Sequence, residues 1–546
     1  MAASVRNLLN YFHTIRYLRP IQVIGRLKRY FKYNKINNSP AGIIRARKGS
    51  WKTPARRSQK MFKENVFRFL NETHQINEAE DWNNPNLEKL WLYNLHYFDD
   101  LTSVNAIDRS NLHDSLINKW IENNPFGVGN GWEPYTISLR TVNWIKWHIS
   151  GNDLNDNQIH SLAVQIRFLS KNIETHLMGN HLLANAKALI FSGLFFSGSE
   201  ASEWYKTGCK IFATEISEQT LSDGGNFELS PMYHSIILED FLDILNLHRL
   251  FECPPPNSIE VVINKMLTWL SAMCHPDNKI SFFNDAALDN TPSTNELFRY
   301  SDQLGFVNPK NTRGITDLEA SGYSRVSLQN AVAIIDRAAV GPRYIPGHAH
   351  ADTLSFELSI FGHRVIVNSG TSLYGIGVER LRQRGTSSHA TVMIDNQDSS
   401  EVWGGFRVAR RAKIFEVKTS NDNGNIYLSA KHDGYKRLSG SPVHCRSWVF
   451  KKNIIEVIDD ISGKGIHDVK VIFPLHPSIQ LIGIKKNQVD MGIFENKIKI
   501  LFEGDGKLII KKSTYHPEFG VTVPSNKLVY HLIGKLPVKI TTRINW

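Results

Sequence analysis

The sequence predicts a multidomain α and β protein, a large helical domain followed by an antiparallel β-sandwich, and three observations carry that reading. From about residue 60 to 305 the apolar residues recur at helical spacing, as from His181 to Phe196 or in Ile236, Ile237, Phe241, Ile244 and Leu245. After about residue 322 the pattern becomes short alternating runs such as TLSFELSIF, HRVIVNS, ATVMIDN, IIEVIDDI and KLPVKITTRI, bounded by Gly, Asn, Asp and Pro. The length, 546 residues with 41% hydrophobic and 21% charged, supplies apolar surface for more than one core and excludes disorder and small disulfide scaffolds. The expected organisation is an N-terminal segment over 1–60, a helical domain over 61–315 and a β-sandwich over 316–546, joined near Lys310 to Ser321.

The N-terminal segment holds the whole charge excess. Residues 1–60 contain 15 Lys or Arg and no Asp or Glu, so of the formal +12 nothing remains for the body, which carries 49 basic against 52 acidic residues. Leu8, Phe12, Ile15, Leu18 and Leu27 interleave there with Arg16, Arg19, Arg26, Lys28 and Arg29, a basic amphipathic stretch broken at Pro20. Such a stretch lies on an anionic membrane surface, docks on an acidic protein face, or stays solvated. No apolar core of a secretory signal follows Met1, and Leu182 to Gly198, interrupted by Asn185 and Lys187, reads as a buried helix. A cytoplasmic or inner-membrane-peripheral location is therefore expected, without a transmembrane helix. Cys209, Cys253, Cys274 and Cys445 show no CxxC spacing and read as reduced core residues.

In the helical half, NPFGVGNG, SDGGN and CPPP mark loops. Gly179-Asn180-His181 heads a helix, where Asn180 is either an N-cap or, with His181, a contact for an anion drawn to unsatisfied N–H groups. In SDGGNFELSPMYH, Ser230 is a candidate N-cap and Pro231 the first helical residue, which puts Tyr233 in the first turn. The positive helix end there makes a phenolate less unfavourable, which suits acid-base work; packing under a loop is the bland alternative. Six of the twelve tryptophans fall between Trp82 and Trp147, through core packing or a sugar-binding face. Trp132, Arg140, Glu228 and His234 are the candidate substrate contacts, with Arg140 either an anion fork or a structural ion pair.

In the β half, Gly347-His348-Ala349-His350-Ala351-Asp352 runs into TLSFELSIF, and period two places His348, His350 and Asp352 on one face, able to bind zinc or move protons. Asn368 ends one strand and His389 opens another, within reach of His350. A metal on His350, Asn368 and His389 is conceivable, with neutral Asn368 the weaker ligand. No GxGxxG, GxxxxGK[ST], GxSxG or HExxH is present, so nucleotide, α/β-hydrolase and zincin chemistries lack support, and no nucleic-acid partner is expected.

Taken together, YNLHYFD, WEPYTISLRTVNW, GNHLLANAKAL, DGGNFELSPMYH, GHAHADTLSFEL, VNSGTSLYG, RGTSSHATVMIDNQDSSEVWGGFR and HCRSWVF resemble the heparinase II/III family of polysaccharide lyases, from about residue 90 to the C-terminus. The resemblance implies an N-terminal (α/α) toroid, an incomplete barrel, followed by an antiparallel β-sandwich. It implies β-elimination on a uronate-containing acidic polysaccharide, with Asn180 and His181 neutralising the uronate carboxylate. Tyr233 would act as general base, general acid or both, and His348 as the alternative base. His350, Asn368 and His389 fall where the family holds a structural zinc, although the family usually has Asp at the position of Asn368. In place of the signal peptide of degradative members this chain has a basic amphipathic N-terminus, like members encoded with capsule or O-antigen assembly genes. Two other readings stand beside the lyase. A glycoside hydrolase would need a carboxylate pair, for which Glu228 and Asp223 are the nearest candidates. A non-catalytic glycan-binding or assembly protein would keep the fold without turnover.

Overall fold

The helices before residue 304 and the strands after residue 314 form two cores joined by a third, smaller one. The computed structural model describes residues 2–29 and 35–546, with residues 2–7, 28 and 29 through their backbone alone. The side chains expected at Lys28 and Arg29, and the stretch 30–34, lie outside the described residues.

The N-terminal segment opens with α1 (Ala2–Ile15) and α2 (Pro20–Arg29). Pro20 breaks the stretch as its missing N–H requires, ending no ladder and occupying a first helical position. The body of the helical domain is an (α/α) toroid built from α3 (Lys89–Tyr97), α4 (Ser110–Asn123), α5 (Pro134–Ile149), α6 (Asp156–Lys171), α7 (Gly179–Phe195), α8 (Ser199–Gln219), α9 (Pro231–Leu250), α10 (Ile259–Ala272) and α11 (Thr294–Gln303). Local chemistry sets these ends. Asn155 and Gln158 form a reciprocal capping box on α6, and Ser230 Oγ accepts from Tyr233 N at 3.2 Å on α9, with Pro231 as the first helical residue.

Helix α7 is apolar on every side and buried between α5, α8 and α9. The two polar interruptions read from the sequence are satisfied: Asn185 Oδ1 accepts from Glu174 N at 2.8 Å, and Lys187 Nζ donates to Asp240 and Asp243 at 2.7 Å. Among the described residues no helix is long and apolar enough to cross a membrane. The tryptophan cluster is core: Trp82, Trp91, Trp120 and Trp144 are fully buried.

The β half contains a five-stranded antiparallel meander from Gly314 to Ile366, an eight-stranded sheet and a four-stranded sheet that includes Val392–Ile394. Leu358, Trp448, Val457, Phe473, Leu528 and Ile540 are among the residues sealed between these layers. Its first strand, Gly314–Leu318, lies inside the stretch read from sequence as the junction.

The joint between the halves positions the site. Leu229, Trp269, Met273 and Phe283 of the toroid pack on Leu318, Tyr323, Ile334 and Ala338 of the sandwich. Each fully buried side chain of this size is worth about 1.5–3 kcal/mol, so the two walls are held firmly. Trp269 Nε1 donates to Ser321 Oγ at 2.9 Å and Arg325 Nη1 to Ala272 O at 3.1 Å across the same seam.

The strands also begin and end differently from the sequence reading. TLSFELSIF becomes a strand only at Phe356, HRVIVN stops at Ile366, and HATVMID starts at Val392. His348, His350, Asn368 and His389 therefore sit on connecting backbone, where side chains do not alternate by the pleat.

Candidate active site

A cleft of about 860 Å³ runs between the toroid and the sandwich. The toroid contributes Tyr97, Tyr135, Asn180, His181, Glu228 and Tyr233, the sandwich contributes His348, Tyr374 and Phe406, and α1–α2 contribute Tyr11, Leu18 and Arg26.

On the toroid wall, α7 points its N-terminus at the cleft. Met178, at φ +62°, is the N-cap residue, so Asn180 lies inside the first turn and not at the cap position expected as one alternative. Its backbone N–H is taken by the Glu228 carboxylate. Burial pushes the Glu228 carboxyl above its ordinary range, opposed by nearby His348 and His181. His181 leans on the Tyr135 ring at 4.3 Å between centroids, and its Nδ1 lies 3.3 Å from Glu174 Oε1.

Tyr233 packs face to face on His348, with ring centroids 3.8 Å apart and planes at 29°, and its hydroxyl is 3.0 Å from that of Tyr374. The helix end was expected to ease its ionisation. Instead burial, with Tyr374, Asp285 and Glu228 alongside, pushes the phenol well above its ordinary value, so it holds its proton.

Asp285, which no sequence pattern marked, organises the other wall. It is fully buried and accepts from His348 Nδ1 at 2.9 Å, His350 Nε2 at 2.9 Å, Thr371 Oγ1 at 3.3 Å and both terminal nitrogens of Arg380. Burial alone would raise its carboxyl; Arg380 and the two histidine bonds hold it well below the usual range. The loop is pinned from both domains: Asp285 N donates to His348 O at 2.9 Å, Asn284 Oδ1 accepts from His350 N at 3.0 Å, and Ser230 Oγ donates to Asp285 O at 2.5 Å. His348 Nε2 is thereby left facing Glu228, 3.6 Å from Oε2.

Asp352 does not join this pair. Its Oδ2 accepts from Asn284 N at 3.3 Å, because residues 351–355 are not yet strand. Three of the expected substrate contacts also lie outside the cleft. Arg140 is buried under Trp120, donating to Gln165 Oε1, His96 O and Gly131 O, with burial lowering its pKa. Trp132 packs on Trp120, Phe126 and Phe168. His234 stacks on Trp269, has Nε2 2.9 Å from Met266 O, and is pushed down to about 3 by burial. Each faces inward because its helix turns that side to the core.

The hydrolase alternative finds no carboxylate pair where it was sought. Asp223 accepts from Gly225 N at 3.0 Å and Ser321 N at 2.7 Å, a loop-fixing role, and does not line the cleft. The floor carboxylates Asp99, Glu239 and Asp240 are in ion pairs with Arg57, Lys146 or Lys187.

His350, Asn368 and His389 come together below the cleft. The His350 and His389 rings are 5.2 Å apart, and His389 Nδ1 is 2.9 Å from Asn368 Oδ1. His350 Nδ1 and His389 Nε2 are buried without a hydrogen-bond partner, as is Asn368 Nδ2. Burial holds His350 near 4 and His389 well below its usual value, so both rings are neutral. The two buried imidazole nitrogens supply two of the ligands a metal ion would take, with Asp285 and Asn368 orienting the rings through their other nitrogens, while among the described residues no group of three or more His, Cys, Asp or Glu converges there. The Asn368 oxygen is engaged by His389 in this arrangement.

Family models match both halves of the chain: heparinase II/III N-terminus over residues 4–311 and heparinase II/III-like, C-terminal, over residues 310–546. The chain belongs to the heparinase II/III family. A heparin-sulfate lyase of Bacteroides stercoris is 28% identical over 306 residues, 52% of this chain and 43% of that protein. One of Pedobacter heparinus is 27% identical over 334 residues, 56% of this chain and 47% of that protein. The match thus spans less than half the length of these relatives. The crystal structure of a heparinase III superposes with a TM-score of 0.68 at 18% identity, covering 87% of this chain and 79% of that one. That likeness establishes the toroid-and-sandwich fold of this heparinase II/III member.

Proposed function

We propose that the protein is a polysaccharide lyase that cleaves a uronate-containing acidic polysaccharide by β-elimination. The observation that carries this is the pairing of a Tyr233 phenol that keeps its proton with a His348 oriented by Asp285, stacked 3.8 Å apart beside the head of α7. Family membership and the lyase names of its relatives support it.

The chemistry asks for three things. The proton next to the uronate carboxylate becomes acidic only when that carboxylate's charge is neutralised. Asn180 and His181, at the positive end of α7, take this role, and Glu228 beside them holds the Asn180 backbone N–H in place. With Asp285 ionised, His348 donates from Nδ1 and presents the Nε2 lone pair as general base. The C–H electron pair becomes the new carbon–carbon double bond, and the bond to the glycosidic oxygen breaks. Tyr233 gives that oxygen its proton, and Tyr374, hydrogen-bonded to Tyr233, aligns the hydroxyl. The products are a new hydroxyl end and a 4,5-unsaturated uronate end.

The direct test is incubation with a panel of uronate-containing polysaccharides, following ultraviolet absorbance of the conjugated uronate. Rising absorbance with chain shortening is expected. New reducing ends without absorbance would mean hydrolysis, and binding without either would mean a glycan-binding protein.

A zinc ion on His350 and His389 would be structural in this reading, tying the backbone after Gly347 to that before Val392 as a bound cation. Dialysis against a chelator is then expected to lower the melting temperature of the wild type and leave His350→Ala, already lower, unmoved. Elemental analysis without zinc and an unshifted wild type would remove the metal.

A further inference from the structure

The two N-terminal helices are amphipathic the wrong way round. Asn10 and Gln22 are 8% and 1% exposed, whereas Leu8, Phe12, Ile24 and Leu27 are 66%, 63%, 51% and 58% exposed. An amphipathic helix on a protein surface ordinarily buries its apolar stripe. Here the polar and aromatic side is the one that docks. Trp403 Nε1 donates to Thr14 Oγ1 at 3.1 Å, and the Tyr11 ring meets Trp403 edge-on at 4.7 Å. Arg19 bonds Glu218 at 2.5 Å and lies over the Tyr344 ring at 3.8 Å. A Cβ on Gly25 would come within 2.8 Å of His176 Cβ, so the chain runs tight against the toroid there. These contacts hold the pair of helices across both walls of the cleft and leave the alkyl and phenyl side outward.

We propose that the outward face of α1 and α2 docks on an anionic lipid bilayer. The charge pattern selects this occupant. Residues 1–29 carry six Lys or Arg and no Asp or Glu, so the segment is cationic as a whole and brings no carboxylate of its own against headgroup phosphate. The stripe itself, Leu8, Phe12, Ile21, Ile24 and Leu27, offers no hydrogen-bonding side chain for a specific protein surface to pair. An exposed apolar run on a segment without acidic residues matches the acyl–headgroup boundary. The proposal concerns attachment and stands whether or not the cleft is a lyase.

The test is co-sedimentation of the full chain with vesicles of phosphatidylcholine alone or with one third phosphatidylglycerol, alongside light scattering of the protein without lipid. The wild type is expected to pellet with the anionic vesicles, to stay in solution with neutral ones, and to release as salt rises. Phe12→Asp with Ile24→Asp is expected to weaken that binding at least about tenfold while melting temperature stays unchanged, since both side chains are outside the packed contacts. Wild-type indifference to anionic vesicles, or undiminished binding by the double variant, overturns the proposal. A wild-type dimer that the double variant converts to monomer overturns it in favour of a second copy on this face.

Discussion

Tyr233→Phe is expected to lower turnover by about 10²–10⁴-fold, the usual worth of a positioned general acid, while glycan binding survives. The substitution removes one oxygen. The ring stack on His348 remains, and the lost hydroxyl contact to Tyr374 costs about 0.5–1.5 kcal/mol of stability, small for a chain this size. The measurement is ultraviolet-absorbing product per enzyme at saturating substrate. A rate near wild type would transfer the acid role to Tyr374, 3.0 Å away, a result the double variant would settle.

Asp285→Asn is expected to be more damaging, because one change severs two functions. The amide can accept from fewer of the five donors that now converge on the carboxylate, and the buried Arg380 guanidinium loses its counter-charge. Leaving a buried charge unpaired costs about 3–5 kcal/mol. His348 also loses the acceptor that fixes its ring, so turnover should fall by about 10²-fold or more even in the fraction that folds. To separate the two effects, Thr371→Val removes a partner of Asp285 without touching either histidine, and it should retain turnover. A folded Asp285→Asn with wild-type turnover would show that His348 needs no orienting partner.

The parts of the site that sequence reading reached are those whose position follows from chain-local rules. Ser230, Pro231 and Tyr233 lie within four residues of a helix start, and cap chemistry alone places the tyrosine in the first turn. His181 likewise follows from the start of α7. The change of period between the halves gives the two-part architecture for the same reason, since helix and strand patterns are local. What was missed depends on contacts across the seam. Asp285 sits in FNDAALDN, a loop with no periodicity, and acquires its role only when residues 348, 350 and 380 arrive from the sandwich. Arg380 lies between VNSGTSLYG and RGTSSHATVMIDNQDSSEVWGGFR and belongs to neither motif. Trp132, Arg140 and His234 have the right chemistry for a sugar site, but their helices turn those faces to the core, a choice made by packing between helices. Tyr374 was within reach, since it closes the VNSGTSLYG motif; what the motif lacked was a reason to prefer it over its neighbours.

The span of the contacts that close the cleft has a consequence for when the protein can work. Thr14 is held by Trp403, 389 residues further on, and Asn71 donates to Glu518 across 447 residues. Domains fold in the order they leave the ribosome. The toroid can therefore form while the sandwich is still being made, but Tyr233 then has no His348 to lie against, and α1 has no wall to rest on. A growing chain carries only half of the proposed site, so a chain cut short before His348 is expected to show no turnover.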